Sequence, residues 1–325
     1  MTIIFLRQEE VHAWGWETHR YINNYAVSFL PPGMEYFEDH RVYIRQHSTD
    51  PDADNLPGYY HYIDIDDYPD FFTGTFPHDW DDALDQYGIS VLIDNGTIPW
   101  VIEQLTDSLT VLMSTGQWES VWQIAAELGH YVADSHEPLH LTLNYNGQLT
   151  GNDGIHSRYE TQMINPHLPE LPLPNYTSIY WSSVIDSVFQ YIENVYPHVS
   201  DIIDADDLAR GQDPNYGATY YSILWDEVDS LTVRVINKAI VDLASIWQTA
   251  WINAGSPTLS LIDEQSTPIG YLLHQNHPNP FNPITTFRYD LPENSFVNIT
   301  IYDVLGRQVK SLINQTQDAG FKTII

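Results

Sequence analysis

Apolar residues recur every three or four positions through most of the chain, and that spacing predicts amphipathic helices. Residues 18–30 carry such a stripe and stop at Pro31-Pro32-Gly33, a combination that ends helices. Residues 100–113 follow Pro99, which suits a first helical turn, and stop near Gly116. Residues 118–133 and 226–250 are longer runs of the same kind, and acidic, turn-rich stretches at 48–58 and 64–82 read as loops. After Gly255 the period changes. Residues 256–270 form a polar linker with two prolines, and His277-Pro-Asn-Pro-Phe-Asn-Pro283 cannot be helix. Residues 285–290, 296–302 and 307–312 alternate apolar with polar and predict short strands, with Leu305-Gly306 as a turn. The chain therefore reads as a mainly α domain over residues 14–255, a linker over 256–270, and a small β domain over 271–325. No repeat is visible, and no stretch reaches the roughly 18 apolar residues that span a bilayer.

Composition narrows the functions. The chain has 325 residues, 43% of them hydrophobic, which is enough for a large core and excludes a wholly disordered chain. Forty-four acidic residues against 12 Lys and Arg give a formal charge of −32. Such a surface repels nucleic-acid backbone and anionic lipid at long range, so no stable nucleic-acid complex is expected. There is no cysteine, which excludes disulfides, zinc–thiolate sites and cysteine nucleophiles. Fourteen histidines are many for this length and point to chemistry. At the N-terminus, Met1-Thr-Ile-Ile-Phe-Leu6 is apolar but short for a signal core, while Val11-His12-Ala13 fits a signal-peptidase site. Residues 1–13 are either the remnant of a secretion signal cleaved before Trp14 or an ordinary frayed terminus; the motifs below favour cleavage.

The helix expected to end at Ala133 carries His130 and, four residues on, Asp134, one above the other on one face. His140 follows in His136-Glu-Pro-Leu-His140, and His156 and Glu160 repeat the four-residue spacing after Gly151-Asn-Asp-Gly154. One such pair is common surface decoration. Two pairs plus His140 within 31 residues exceed what hydrogen-bonded core histidines explain, and imidazole with carboxylate is a zinc donor set. Upstream lie Trp14-Gly-Trp-Glu-Thr-His19, and His61 in Tyr60-His-Tyr-Ile-Asp64, after the acidic run Asp50-Pro-Asp52-Ala-Asp54.

Together, Trp14…His19, His61-Tyr-Ile-Asp64, His130-x3-Asp134-x5-His140 and His156-x3-Glu160 resemble the superfamily of zinc-dependent phospholipase C and the S1/P1 nucleases, over nearly the whole first domain. The resemblance implies an α-helical bundle holding three zinc ions. Asp50, His61, His130 and Asp134 would hold the first, and His140, His156 and Glu160 its neighbour. The freed α-amine and carbonyl of Trp14, with His19 and a bridging Asp134, would hold the third. Asp50 and Asp134 are then the catalytic carboxylates, beside a hydroxide that the metal pair generates near neutral pH for in-line attack on phosphorus. Three dications against three carboxylates and a hydroxide leave a net of roughly +2, attractive to a phosphodiester at short range. Cleavage before Trp14 becomes obligatory, because an α-amine of pKa near 8 can ligate where an amide nitrogen cannot.

Asp50 lies close to His61 for this family, so Asp52 is an alternative ligand. The nuclease branch has an Arg soon after this Asp, and Asp52-Ala-Asp-Asn55 has none. Glu160 as last ligand resembles the phospholipase branch, whereas His136-Glu-Pro-Leu-His140 and the short Trp14–His19 spacing resemble the nuclease branch. Tyr59, Tyr60, Tyr62 and Asp64 are candidates for a substrate wall, with core packing as the plainer role for the tyrosines and support of a ligand for Asp64. His136 is expected to be structural. The reading is a secreted trinuclear-zinc hydrolase of phosphodiesters, phospholipase C-like on phospholipid head groups. The alternatives are an S1/P1-type single-strand nuclease or 3′-nucleotidase, and a non-catalytic, zinc-stabilised surface binding protein. Finally, Pro278-Asn-Pro-Phe-Asn-Pro283, Tyr302-Asp-Val-Leu-Gly-Arg307 and Ala319-Gly320 resemble the C-terminal sorting domain of type IX secretion. That resemblance implies the type IX machinery as partner, a destination at or beyond the cell surface, and a β-sandwich whose last strand is expected to be missing.

Overall fold

The computed structural model describes residues 14–53, 56–258, 270–273, 287–302 and 307–324. The chain forms two compact units, residues 1–258 and 259–325. The first is helical. Helix α1 (Trp16–Ala26) buries Thr18, His19, Ile22, Asn23 and Ala26, a stripe at helical spacing, and unwinds through a tighter turn at Val27–Phe29 before Pro31. Three short helices follow: α2 (Tyr36–Asp39), α3 (Arg41–His47) and α4 (Asp50–Ala53). Helix α5 (Trp80–Tyr87) is capped by Asp79, whose carboxylate accepts the Asp81 and Asp82 N–H groups, and α6 (Ile89–Asp94) follows directly. Helix α7 (Ile98–Ser114) has Pro99 in its first turn, as expected, and α8 (Trp118–Asp134) ends one residue beyond the expected bound. A single turn, α9 (Ile155–Ser157), widens into a π-helical turn at Arg158–Met163. Helices α10 (Val184–Val195), α11 (His198–Gln212) and α12 (Ala218–Asn253) complete the unit.

Several of these depart from the sequence pattern. The acidic stretch at 48–58, expected as loop, contains α4, and that at 64–82 contains short 3₁₀ turns and the start of α5. Helix α11 is not legible as a run, because acids interrupt the apolar stripe in Asp201-Ile-Ile-Asp-Ala-Asp-Asp207, whereas α10 carries a regular stripe (Val188, Tyr191, Ile192, Val195) and was not anticipated. Helix α12 starts eight residues before the expected run, where Tyr220 and Leu224 extend its buried face.

Helix α12 packs on α1, α7, α8 and α11, while α8 also meets α1, α3 and α7. The core between them holds Phe37, Trp122, Tyr131, Leu243 and Trp247. From Leu128 to Asp134 every residue of α8 is buried. His130 and Asp134 are thus enclosed in the core, where ionisable groups need partners.

Among its described residues, the second unit has two antiparallel sheets. One has the order β1 (Leu272–Leu273), β2 (Phe287–Leu291), β5 (Gly320–Ile324), with Leu272 opposite Asp290 and Leu291 opposite Gly320. The other pairs β3 (Ser295–Tyr302) with β4 (Gln308–Gln317), Ser295 opposite Gln317. Tyr289, Leu291, Val297 and Ile313 form its small core. Strand β4 runs five residues past the expected strand, and β5 was not anticipated. The proline-rich motif at 277–283 and the Leu305-Gly306 turn lie outside the described residues. No described helix is long and apolar enough to cross a membrane.

Candidate metal centre

Helix α8 presents His130 and Asp134 one turn apart, both fully buried. The His130 Nδ1–H donates to the Ser48 carbonyl at 2.9 Å, which turns Nε2 inward. That nitrogen lies 3.0 Å from His61 Nδ1 and 3.2 Å from Asp134 Oδ2, and His61 Nδ1 lies 3.0 Å from the same oxygen. The other Asp134 oxygen, Oδ1, faces His19 Nε2 at 3.3 Å, and the His19 ring stacks on His130 at 4.0 Å. One carboxylate thus divides its two oxygens between two sets of imidazoles. Helix α1 reaches α8 this closely because residue 129 is glycine, directly against the buried Asn23 side chain.

Asp50 does not join this group. Its carboxylate is 41% exposed and pairs with His47 Nδ1 at 2.6 Å. Asp52, 3% exposed, points inward instead, 3.5 Å from His130 Nε2 and 3.9 Å from His61 Nδ1. The reason is helix α4: two residues along a helix rotate a side chain by about 200°, so only one of the pair can face the interior.

A second cluster comprises Glu137, His140, His156 and Glu160, all buried. Glu160 Oε2 lies 2.9 Å from His156 Nε2 and 3.8 Å from His140 Nε2. The two clusters are tied by backbone. His140 donates from Nδ1 to the His61 carbonyl at 2.6 Å, while Ile63 N–H donates to the His140 carbonyl at 2.9 Å. Trp14 is buried against Tyr159, and the Gly15 N–H donates to the Glu160 carbonyl at 3.2 Å, which sets the residue-14 backbone beside this cluster.

The electrostatics are unusual for a core. Burial opposes charge on His130, but Asp134 and Asp52 outweigh it and raise the imidazole to about 9. Burial likewise opposes charge on Asp134, yet His130 and His19 hold it well below the ordinary carboxylate range. Burial raises Glu160 to about 7, His140 offsetting only part of it. Burial and then Glu160 push Glu137 well above the usual range. Among the described residues the groups able to hold a metal contain five imidazoles and four carboxylates, and no Lys or Arg pairs with any of those carboxylates. Imidazole nitrogen and carboxylate oxygen without thiolate suit zinc, so the donor set fits the metal that the resemblance implies.

The other expected residues are placed as follows. His136 turns away, its ring between the Val132 carbonyl and Asp242 Oδ2 and stacked on Tyr191, a structural position. Tyr62 is buried and its hydroxyl donates to the Asp94 carbonyl. Asp64 is buried, its N–H on the Asn95 carbonyl. Tyr59 and Tyr60 meet edge to face at 4.9 Å, with Tyr60 also near Tyr131. Glu137 was missed in the sequence. The signal that could have found it is its place two residues before Leu139 and three before His140, at the mouth of a turn that Pro138 opens.

No family model and no curated protein matches the chain. Among solved structures, alpha-toxin from Clostridium absonum is similar over 98% of this chain and 84% of its own, at 13% identity and a TM-score of 0.48. Alpha-toxin from an avian strain of Clostridium perfringens is similar over 94% of this chain and 80% of its own, at 12% identity and a TM-score of 0.50. At that identity the likeness is one of fold: a mainly helical domain followed by a small region of β-sheet.

Proposed function

We propose that this chain is a secreted, zinc-dependent hydrolase of phosphodiesters, with three metal ions per chain matured at Trp14 and a phospholipid head group as substrate. The observation that carries the reading is the interior itself. Asp134, Glu137 and Glu160 are buried, and the Asp52 side chain is 3% exposed, beside five imidazoles, with no Lys or Arg paired to these carboxylates among the described residues. Burying unpaired carboxylates is costly, and divalent cations are the compensation this donor set is built for. His61, His130, Asp134 and Asp52 would hold one ion, and His140, His156 and Glu160 its neighbour. His19, the other oxygen of Asp134 and the freed terminus of Trp14 would hold the third.

When bound, zinc supplies Lewis acidity at phosphate oxygens and lowers the pKa of water toward neutrality. The chain's own residues orient that chemistry. The Ser48 and His61 carbonyls accept from His130 and His140, which fixes each tautomer with Nε2 inward. Asp134, with an oxygen toward each imidazole set, keeps neighbouring positions in register. Burial of all these groups lowers the local dielectric, so each interaction with phosphate is stronger than in water.

Glu160 as last donor and the lack of Arg beside Asp52 support the head-group substrate. The S1/P1-type nuclease reading uses the same metals and is separated by one assay. The mature, zinc-loaded chain is expected to hydrolyse phosphatidylcholine faster than single-stranded DNA; the reverse ranking hands the site to the nuclease reading. Elemental analysis is expected to find about three zinc ions per mature chain, and none would end the enzyme reading. Asp134→Asn is expected to lose more than one metal and to fall to background activity, so full activity in that variant removes its bridging role. Residues 271–325 are proposed as a type IX sorting domain, which gives a cell-surface or external destination.

A further inference from the structure

Four donors line the second cluster, although the resemblance assigns it three. One ligand atom each from Glu137, His140, His156 and Glu160 lies within 4.8 Å of all the others. Local backbone geometry explains the fourth. Helix α8 ends at Asp134, the Glu137 N–H donates to the Asp134 carbonyl, and a 3₁₀ turn runs over Pro138–Leu141. Residues three apart on a 3₁₀ turn are nearly eclipsed, so Glu137 and His140 project from one side. Opposite them, His156 and Glu160 stand one turn apart, where α9 widens into its π turn.

Glu137 stands at the N-cap of that turn, yet its carboxylate is not fully satisfied there. It is wholly buried, and neither carboxylate oxygen meets a donor at full hydrogen-bond geometry. The Leu139 and His140 amides only partly offset its burial. No Lys or Arg pairs with it among the described residues, and its Oε2 lies 4.0 Å from His156 Nε2. Were Glu137 there to orient His156, the two would stand at hydrogen-bond distance, which Glu160 already provides at 2.9 Å.

We propose that Glu137 is a fourth protein ligand at this cluster, which gives the metal a shell of two imidazoles and two carboxylates. The inference rests on the metal-centre reading above and adds a residue to it. Two carboxylates would neutralise one dication locally, as Asp52 and Asp134 would at the first position. Four protein donors also complete a tetrahedral zinc shell. Water or substrate then enters only by expanding the shell to five or by displacing a carboxylate.

Two measurements test this. In crystals of the mature, zinc-loaded chain, anomalous scattering at the zinc edge is expected to place a metal about 2.0–2.2 Å from a Glu137 oxygen, shared with His140, His156 and Glu160. A metal on those three residues with Glu137 more than about 3 Å away overturns the inference while leaving the metal centre intact. Zinc at none of the clusters overturns both. In solution, Glu137→Gln keeps the shape and removes the charge. Chelator competition is expected to show one zinc weakened by at least the roughly 10- to 100-fold typical of losing an outer-shell partner, the others unchanged. Unchanged affinity at all positions overturns the inference. Circular dichroism of the metal-free variant, expected to match that of the parent, separates this effect from misfolding.

Discussion

Asp50 and Asp52 are the same residue type two positions apart, yet they stand in different solvents. The first shares an exposed pair with His47, the second faces His61 and His130 in the core. Exposed pairs of this kind contribute little. Asp50→Asn is therefore expected to change stability by no more than about 0.5 kcal/mol and to leave zinc content intact. Asp52→Asn is expected to lose one zinc and most activity. Equal effects of the two changes, read by elemental analysis and turnover, would remove Asp52 from the centre. The pKa shifts give a second prediction at this scale, for the chain stripped of metal. Glu160 keeps its proton to about 7 in the folded state, against 4.5 for an ordinary glutamate, and Glu137 is shifted the same way. His130 is raised from 6.5 to about 9. In each case the native state binds more protons than the unfolded one between the two values, so stability falls as pH rises through that window. His19, lowered by burial and by His130, acts in the opposite sense below its ordinary value. The metal-free chain is expected to melt at a lower temperature at pH 8 than at pH 5, with added zinc closing the gap. Calorimetry showing a flat or rising trend would contradict this balance of charges.

Among the elements, α8 is the one on which the centre depends, and Gly129 is its least replaceable position. Alanine ordinarily improves a helix interior by roughly 0.5–1 kcal/mol relative to glycine. Here an added Cβ would stand well inside contact distance of the Asn23 side chain. Asn23 is buried, and its Nδ2 donates to the His19 carbonyl at 3.0 Å, so it has little freedom to retreat. Overpacking of this kind costs about 1–3 kcal/mol, which exceeds the propensity gain. Gly129→Ala is expected to destabilise the fold by that order in chemical denaturation and to loosen zinc, because His19 stacks on His130 across the same contact. A more stable variant would show that α1 and α8 can part without loss. The long helices were legible because a stripe at helical spacing is a local pattern. The 3₁₀ turn at Pro138–Leu141, the π turn at Arg158–Met163 and α4 were not, since each is too short to carry a period.

At the scale of the molecule, a charge of −32 surrounds a centre proposed to hold cationic metals. The far field repels anions, while the metals act only at short range. Raising ionic strength from about 0.01 M to about 0.15 M shortens the screening length from about 30 Å to about 8 Å. Turnover of an anionic phospholipid in vesicles is therefore expected to rise over that range, while zwitterionic phosphatidylcholine changes little. A fall with salt on the anionic substrate would mean that a local basic surface, and not the net charge, governs its approach.

Sequence alone determined the helical class of the first unit, the strand-forming character of the second, and the pairs His130/Asp134 and His156/Glu160, because all of these follow from spacing along the chain. Tertiary structure decided which carboxylate of the acidic run turns inward, that His140 faces the centre while His136 braces α12 through Asp242, and that Glu137 joins the second cluster. Those choices depend on which side of a short turn is covered by a distant helix. That covering is a property of packing between segments as far apart as residues 19, 61, 137 and 160, and no local period records it.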